Sequence, residues 1–274
     1  MPHFTATTGS VGRVVAGGEE KVAKEARREV FVDADKYEVL SFDCYGTLVD
    51  WESGIISGLR PLLRSHGVEV ADDEILALHA QTEHRLQATS KKGSYFKYRD
   101  VLREEVREAG RKWGFDPDRT EVNALADSVR YWLPFPDTVG ALRALKGRYR
   151  LAIISNIDDG LFALTARYLE VEFDYIITAE QAGTYKPSPN NFELALERIG
   201  VGPEKILHVA ESLFHDHVPA KQMGLDGAWI HRRAPKGGFG ATPPAEAEPD
   251  FEVQDLESLV HALGLRGEGS VPEA

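Results

Sequence analysis

Cysteine is nearly absent from this sequence, with Cys44 as the single example among 274 residues. One thiol cannot form an intrachain disulfide, which excludes a disulfide-stapled secreted scaffold. No stretch reaches the ~20 consecutive apolar residues of a membrane-spanning helix. The first residues also lack the basic start and apolar run of a secretory signal. We therefore expect a cytoplasmic protein that does not enter a membrane.

Positive charge is also scarce, because 32 basic side chains face 44 acidic ones and the formal net charge is −12. This balance repels phosphate backbones and anionic lipids, and consecutive basic residues form only short pairs such as Lys91-Lys92. Neither nucleic acid nor membrane binding is expected. With 42% hydrophobic residues a packed core is expected, and the sequence leaves a homodimer open.

Short apolar runs alternate with amphipathic helical patterns along most of the chain. Such alternation predicts an α/β fold with a doubly wound parallel sheet. The predicted strands are 37–43, 150–155, 173–178, 206–210 and 227–231. The predicted helices are 138–146, 160–169, 190–199 and 217–223, and a last strand and helix are expected within 250–263.

A long stretch after the first strand has helical periodicity and no strand pattern. Its predicted helices are 55–66, 72–89, 95–113 and 119–132. This stretch predicts an all-helical cap, inserted over the carboxyl ends of the strands, where open α/β sheets place ligands. The expected domain plan is a flexible extension (1–36, with a short helix at 19–28), a core (37–52 and 134–263), a cap (53–133) and a flexible tail (264–274).

The first candidate for chemistry is Asp43, which directly follows the first apolar run. An aspartate there projects into the crevice, and Gly46 allows the chain to turn sharply. Alone, such an aspartate is more often a turn residue than a catalytic group.

Three further motifs follow strands or precede helices in the same half of the fold. Ser155 and Asn156 end one strand, Lys186 precedes a proline and a helix, and Ser212 and Asp216 follow another strand. Each is ordinary loop chemistry in isolation. Together they place an anion-binding hydroxyl and amide, a cation and a second carboxylate beside Asp43. Two carboxylates held close together need that cation, or one of them takes up a proton.

The order and spacing of these motifs resemble the haloacid dehalogenase superfamily over about residues 37–263. The resemblance implies a Rossmann-like core and a covalent mechanism in which Asp43 is the nucleophile. It implies that Lys186 balances the clustered charge and that Asp216 positions Lys186 or the hydrolytic water. Thr47 is also predicted to be a catalytic residue.

The residue at position 45 indicates which leaving group the enzyme suits. Phosphatases of the superfamily carry an acidic proton donor where this chain has Tyr45. A halide, unlike an alkoxide, leaves without protonation, and the string Asp-Cys-Tyr-Gly-Thr-Leu is similar to that of the 2-haloacid dehalogenase branch. That branch implies metal-free hydrolysis of a small anionic 2-haloalkanoic acid. Ser155, Lys186 and backbone amides would bind its carboxylate, Asn156 would cradle the halide, and Tyr45 and Ser212 would line the substrate.

Several positions depart from that branch and keep alternatives open. Glu211 and Leu213 replace a serine and an asparagine, Phe192 replaces a tyrosine, and no cap arginine is obvious. A rough alignment places His79 at the cap arginine, with His84 and Arg85 nearby, although a solvated helix face is an equal interpretation.

Two alternative functions follow from these departures. Glu211 favours a Mg²⁺-dependent phosphatase or phosphonate hydrolase in which Asp43, Glu211 and Asp216 lie near the metal. The other alternative is a catalytically silent member that binds a small acid or a protein.

Overall fold

The protein is described by a computed structural model that covers residues 32–91, 93–233, 241–242 and 245–265. In this part of the chain, six strands form one parallel sheet in the order β3-β2-β1-β4-β5-β6. The strands are β1 (Val39–Phe42), β2 (Arg150–Ser155), β3 (Tyr175–Thr178), β4 (Ile206–Ala210), β5 (Asp226–Ile230) and β6 (Phe251–Val253). The predicted parallel α/β sheet is confirmed.

The first strand lies at the centre of the sheet. All residues of β1 are buried, as expected for a strand paired on both sides and covered on both faces. Its last residue, Phe42, is in register with Ile153 of β2 and Val209 of β4. The residues that follow these three positions therefore leave the sheet at one level.

Helices flank the sheet, as the alternating pattern predicts. One hydrophobic cluster joins Val39, Ala152 and Ile154 of the sheet to Phe192 and Ala195 of a helix. The core helices are α5 (Thr138–Lys146), α6 (Asp159–Leu169), α7 (Ala179–Ala182), α8 (Asn190–Ile199), α9 (Val218–Gln222) and α10 (Leu256–Ala262), and Leu213–His217 forms a π-helical turn before α9.

The segment between β1 and α5 is helical throughout its regular elements. Its helices are α1 (Trp51–Ser65), α2 (Asp72–Gln87), α3 (Tyr98–Trp113) and α4 (Ala124–Ser128). They pack on one another, and the predicted cap helices are therefore present. The last predicted helix, 119–132, is instead divided into α4 and two flanking 3₁₀ turns, Glu121–Asn123 and Val129–Tyr131.

The two chain segments that join this cap to the core run side by side in opposite directions. Val49 and Pro134 form an antiparallel bridge. The amide of Asp50 donates to the carbonyl of Leu133 at 3.0 Å, and the amide of Phe135 donates to the carbonyl of Leu48 at 3.0 Å. The cap is therefore joined to the core through two paired segments.

The predicted extension and tail fall mostly on residues 1–31 and 266–274, which lie outside the described residues. Residues 32–36, assigned to the extension by the sequence, lie against the core: Val32 is buried, and its amide donates to the carbonyl of Ala262 at 3.1 Å. Among the described residues, none of the helices has the length and apolar character needed to cross a membrane.

Candidate active site

Asp43 follows β1 directly, and its side chain is almost fully buried at the carboxyl edge of the sheet. The turn after it needs Gly46, whose φ of 97° is unfavourable for other residues. A Cβ atom there would also come within 2.9 Å of Trp51 Nε1. The turn therefore brings the start of the cap close to the carboxylate.

Lys186 is the cation that the clustered carboxylates require. Its ammonium donates to Asp43 Oδ1 at 2.9 Å, to Asp216 Oδ1 at 2.6 Å and to the carbonyl of Ile154 at 2.7 Å. Burial opposes its charge, but the carboxylates of Asp216 and Asp43 raise the pKa of Lys186. All three N–H donors are engaged, so the ammonium belongs to the framework of the site rather than to a substrate.

A second contact on Asp216 comes from beneath the site. His208 Nε2 lies 2.9 Å from Asp216 Oδ1, and His208 Nδ1 lies 2.9 Å from the hydroxyl of Ser41 on β1. Although burial acts in the opposite direction, Lys186 and His208 hold the pKa of Asp216 well below its usual range. The other oxygen, Oδ2, is buried and has no hydrogen-bond partner among the described residues.

Thr47 ties Asp43 to the loop after β4. Its hydroxyl donates to Asp43 Oδ2 at 2.9 Å and accepts a hydrogen bond from the amide of Glu211 at 2.9 Å. Both Asp43 oxygens therefore have a fixed donor, and each keeps a lone pair with which to react.

Ser155 and Asn156 are adjacent in the chain but differ in their contacts. The hydroxyl of Ser155 is buried and finds no hydrogen-bond partner within the described part of the chain. The Asn156 side chain, in contrast, accepts from the amide of Lys186 at 2.7 Å and donates to its carbonyl at 3.1 Å. Asn156 thus holds the backbone of Lys186, a contact that the halide-cradle interpretation did not anticipate.

Tyr45 and Ser212 line the site with hydroxyls that are already engaged. The hydroxyl of Tyr45 lies 2.7 Å from Thr165 Oγ1 on α6. Ser212 Oγ accepts from the amide of His215 at 2.9 Å. The Tyr45 hydroxyl is therefore engaged by α6, and burial raises the pKa of Tyr45 well above its usual value, which makes it a poor proton donor.

A cavity of about 40 Å³ lies above Asp43. Since one water needs roughly 10–15 Å³ by the same measure, it suits a molecule of only a few heavy atoms. Its lining residues are Asp43, Tyr45, Trp51, Glu83, Tyr98, Ser155, Asn156, Lys186, Glu211, Ser212, His215, Asp216 and Thr242.

Five lining residues were missed by sequence reasoning: Trp51, Glu83, Tyr98, His215 and Thr242. Two of them lie on the cap helices α2 and α3. One signal was present, because Glu83 follows His79 by four residues and shares its helix face.

The two cap residues that the alignment proposed do not line this cavity. His79 is fully buried between α2 and α3, where its Nδ1 lies 2.8 Å from Glu105 Oε2. Arg85 points to the exposed side of the cap and donates to Glu108 at 2.7 Å. Their assignment to substrate binding is therefore corrected: one faces a buried carboxylate, and the other faces solvent.

The pKa values of the cavity residues follow from burial and from one another. Burial, with the nearby carboxylate of Asp216, raises the pKa of Asp43. Burial and the charge of Asp43 raise the pKa of Glu211 to about 7. Burial lowers the pKa of His215 to about 4, so this imidazole is neutral at pH 7.

Comparison with known proteins identifies the family in which this arrangement of residues occurs. Residues 37–224 match the haloacid dehalogenase-like hydrolase family. The chain belongs to this family. It is 30% identical to a haloacetate dehalogenase (H-2) of Moraxella sp. strain B, over 84% of this chain and 99% of the relative.

Two further comparisons extend this relationship. An (S)-2-haloacid dehalogenase of Pseudomonas sp. strain YL is 27% identical, over 82% of this chain and 94% of the relative. The crystal structure of an L-2-haloacid dehalogenase superposes with a TM-score of 0.73 at 25% identity, covering 83% of this chain and 99% of that one. The predicted superfamily, its core and its helical cap are confirmed.

The magnesium alternative can be tested on the donor set of this haloacid dehalogenase-like hydrolase. Asp43, Glu211 and Asp216 all line the cavity. In the described ranges, however, no group of three or more His, Cys, Asp and Glu side chains is arranged to hold a metal ion. The ammonium of Lys186 already lies between Asp43 and Asp216, so these residues do not fit a bound Mg²⁺.

A core carboxylate fastens the cap of the hydrolase above the site. Asp158, just after β2, accepts from the hydroxyl of Tyr95 at 2.8 Å and from the amides of Tyr98 and Arg99 at 2.9 and 2.8 Å. Those amides belong to the first turn of α3, whose N–H groups have no partner inside the helix. Asp158 thus caps a helix of the other layer and holds Tyr98 over the cavity.

Proposed function

We propose that the protein hydrolyses the carbon–halogen bond of a small 2-haloalkanoic acid through an ester on Asp43. The observation that carries this proposal is a buried carboxylate, fixed by Lys186 and Thr47, facing a small cavity in which the hydroxyl of Tyr45 is occupied by Thr165. A nucleophile without a proton donor at Tyr45 suits a leaving group that departs as a stable anion.

In the first step, an Asp43 oxygen attacks C2 of the substrate. A C–O bond forms, the C–X bond breaks, and its electron pair leaves with the halide. The free hydroxyl of Ser155 is suited to hold the substrate carboxylate, since it is buried beside Asp43 without a partner among the described residues. Against the effect of burial, the ammonium of Lys186 lowers the pKa of Asp43 and so favours the ionised form that attacks.

In the second step, water attacks the carbonyl carbon of the Asp43 ester. Asp216 Oδ2, buried and unpaired in the described part of the chain, can accept a hydrogen bond from that water. Lys186, 2.9 Å from Asp43 Oδ1, stabilises the negative charge that develops on the carbonyl oxygen of the tetrahedral intermediate. The bond from the carbonyl carbon to the substrate oxygen then breaks, and the 2-hydroxy acid takes one proton of the water. The other proton is released to solvent, and Asp43 regains its carboxylate with one oxygen from the water.

The test is halide release from bromoacetate and 2-chloropropionate with a chelator present. We expect release by the unmodified protein and less than about a thousandth of that rate for Asp43→Asn, because the amide is not a nucleophile. Asp127→Asn, on the exposed side of the cap, is the matched control and should leave the rate unchanged. Turnover in ¹⁸O-labelled water should label the Asp43 carboxylate, as read by mass spectrometry of its peptide.

Other results would contradict the proposal. Phosphate release that depends on Mg²⁺ would support the alternative hydrolase. Absence of any turnover would support the silent, small-acid-binding alternative. Undiminished halide release by Asp43→Asn would refute the nucleophile itself.

The partner and the compartment complete the proposal. A small acid is proposed as the substrate, with Ser155 as its anion contact. The cytoplasm is proposed as the compartment because the single thiol, Cys44, is buried and has no second cysteine to pair with. A homodimer stays a prediction that sedimentation analysis can check.

A further inference from the structure

The cap side of the cavity is formed by Glu83 of α2, Tyr98 of α3 and Trp51 at the start of α1. Glu83 and Tyr98 are 7% and 4% exposed, so both side chains are almost fully buried in the wall of the cavity. The part of a bound substrate that faces the cap therefore contacts a carboxyl group rather than a cation.

Glu83 is backed by a buried ion pair inside the cap. Glu105 lies 2.8 Å from His79 Nδ1, whereas Glu83 lies 3.7 Å from His79 Nε2. Against the effect of burial, the closer Glu105 is the main cause that raises the pKa of His79 to about 9. Burial raises the pKa of Glu83 itself, so this carboxyl keeps its proton to a higher pH than an exposed glutamic acid.

The direction of the reaction brings the leaving group towards this carboxyl. Displacement at carbon is in line, so the halide departs on the side of C2 opposite the attacking oxygen. Asp43 attacks from the core at the tip of β1, and the cap covers the other side of the cavity. A halide leaving C2 therefore moves towards the cap side, where Glu83 and Tyr98 lie.

Resting on the proposed function, we propose that Glu83 is a catalytic residue whose carboxyl O–H donates a hydrogen bond to the departing halide. The C–X electron pair leaves with the halide while Asp43 forms the C–O bond. If the Glu83 proton follows the halide, the water that opens the ester restores it, and the sum remains haloacid plus water to hydroxy acid, halide and one proton. Fluoride is the smallest halide and the strongest hydrogen-bond acceptor, so this donor favours fluoride over bromide.

Other titratable groups surround Glu83 and must be separated from it. They are His79 on α2, Tyr98 and Glu105 on α3, Glu52 on α1 (through His79), and Asp43, Lys186, Glu211, His215 and Asp216 across the cavity. A change in any cavity charge alters the binding of every haloacetate alike. The ratio of kcat for fluoroacetate to kcat for bromoacetate isolates the contact with the leaving halide.

The experiment measures this ratio for Glu83→Leu and Glu83→Gln across a range of pH. Leu has no donor, so we expect the ratio to fall by about tenfold or more, the factor that one hydrogen bond supplies. Gln keeps an N–H donor that does not titrate, so its ratio should stay within a few-fold of the unmodified enzyme and be flat with pH. In the unmodified enzyme the ratio should fall as pH rises and Glu83 loses its proton.

The control is Glu108→Gln, on the exposed side of α3, which should change nothing. Equal losses for fluoroacetate and bromoacetate in Glu83→Leu would overturn the inference and leave a structural role. If that variant does not fold, as judged by its melting curve, a Glu83→Gln ratio that falls with pH like that of the unmodified enzyme overturns it instead. Absence of halide release by the unmodified enzyme would refute the proposed function, and this inference with it.

Discussion

Glu211 is a cavity carboxyl whose charge changes near neutral pH, because burial and Asp43 raise its pKa to about 7. Below that pH the Glu211 carboxyl is neutral and does not repel an anionic substrate. Above that pH its negative charge adds to that of Asp43 and weakens substrate binding. We expect KM for bromoacetate to rise about tenfold between roughly pH 6 and pH 8.5, since 1.4 kcal/mol of repulsion gives that factor. Glu211→Gln should flatten the profile in steady-state assays, and an unchanged slope would exclude Glu211 as its cause.

Three of the residues that the sequence predicted correctly to lie together share one property: they lie at or after the ends of strands. Asp43 follows β1, Ser155 ends β2 and Asp216 follows β4, and parallel strands bring such positions to one edge. Glu83 could not be found this way, because a charged residue on an amphipathic helix has the same pattern whether it faces solvent or a cavity. Asn156 was found, but its bond to the backbone of Lys186 depends on how two loops pack, which has no signature in the sequence.

At the scale of elements, Asp158 joins the loop after β2 to the first turn of α3. Asp158→Ala removes a helix cap and the bond to Tyr95, and we expect a loss of about 1–2 kcal/mol in the stability of the cap. Hydrogen exchange at Tyr98 and Arg99 should accelerate, and KM should rise while melting of the core changes little. Asp100→Ala, in the same turn of α3 but paired with Arg103 of that helix, is the control. Equal effects of the two substitutions would contradict the role given to Asp158.

The predicted ends of the strands differ from the observed ends by no more than two residues, because a buried parallel strand is an uninterrupted apolar run. The helices of the cap were harder to bound. The pattern at 119–132 predicted one helix, but the chain forms α4 between two 3₁₀ turns. The π-helical turn Leu213–His217 was also not predicted, since it depends on Ser212 accepting from His215.

At the scale of the whole molecule, the formal charge of −12 repels the anionic substrate that the proposed function requires. Raising the ionic strength from about 10 mM to about 200 mM shortens the range of that repulsion to roughly a nanometre or less. We expect KM for bromoacetate to fall about twofold while kcat stays constant, because screening acts before the chemical step. Sodium sulfate is the salt of choice, since it adds no halide; a KM that rises or stays constant would contradict this expectation.

The bridge between Val49 and Pro134 pairs the two segments that connect cap and core, so we expect any rotation of the cap to take place about it. Displacement in a rotation grows with distance from the axis, so Trp51, two residues from Val49, would travel little. Glu83 and Tyr98, on helices further along the cap, would move further once the hydrogen bonds between Asp158 and α3 break. Such a swing would separate the group that receives the halide from the group that attacks carbon. The enzyme could thus discharge both products while the Asp43–Lys186–Asp216 cluster stays assembled for the next cycle.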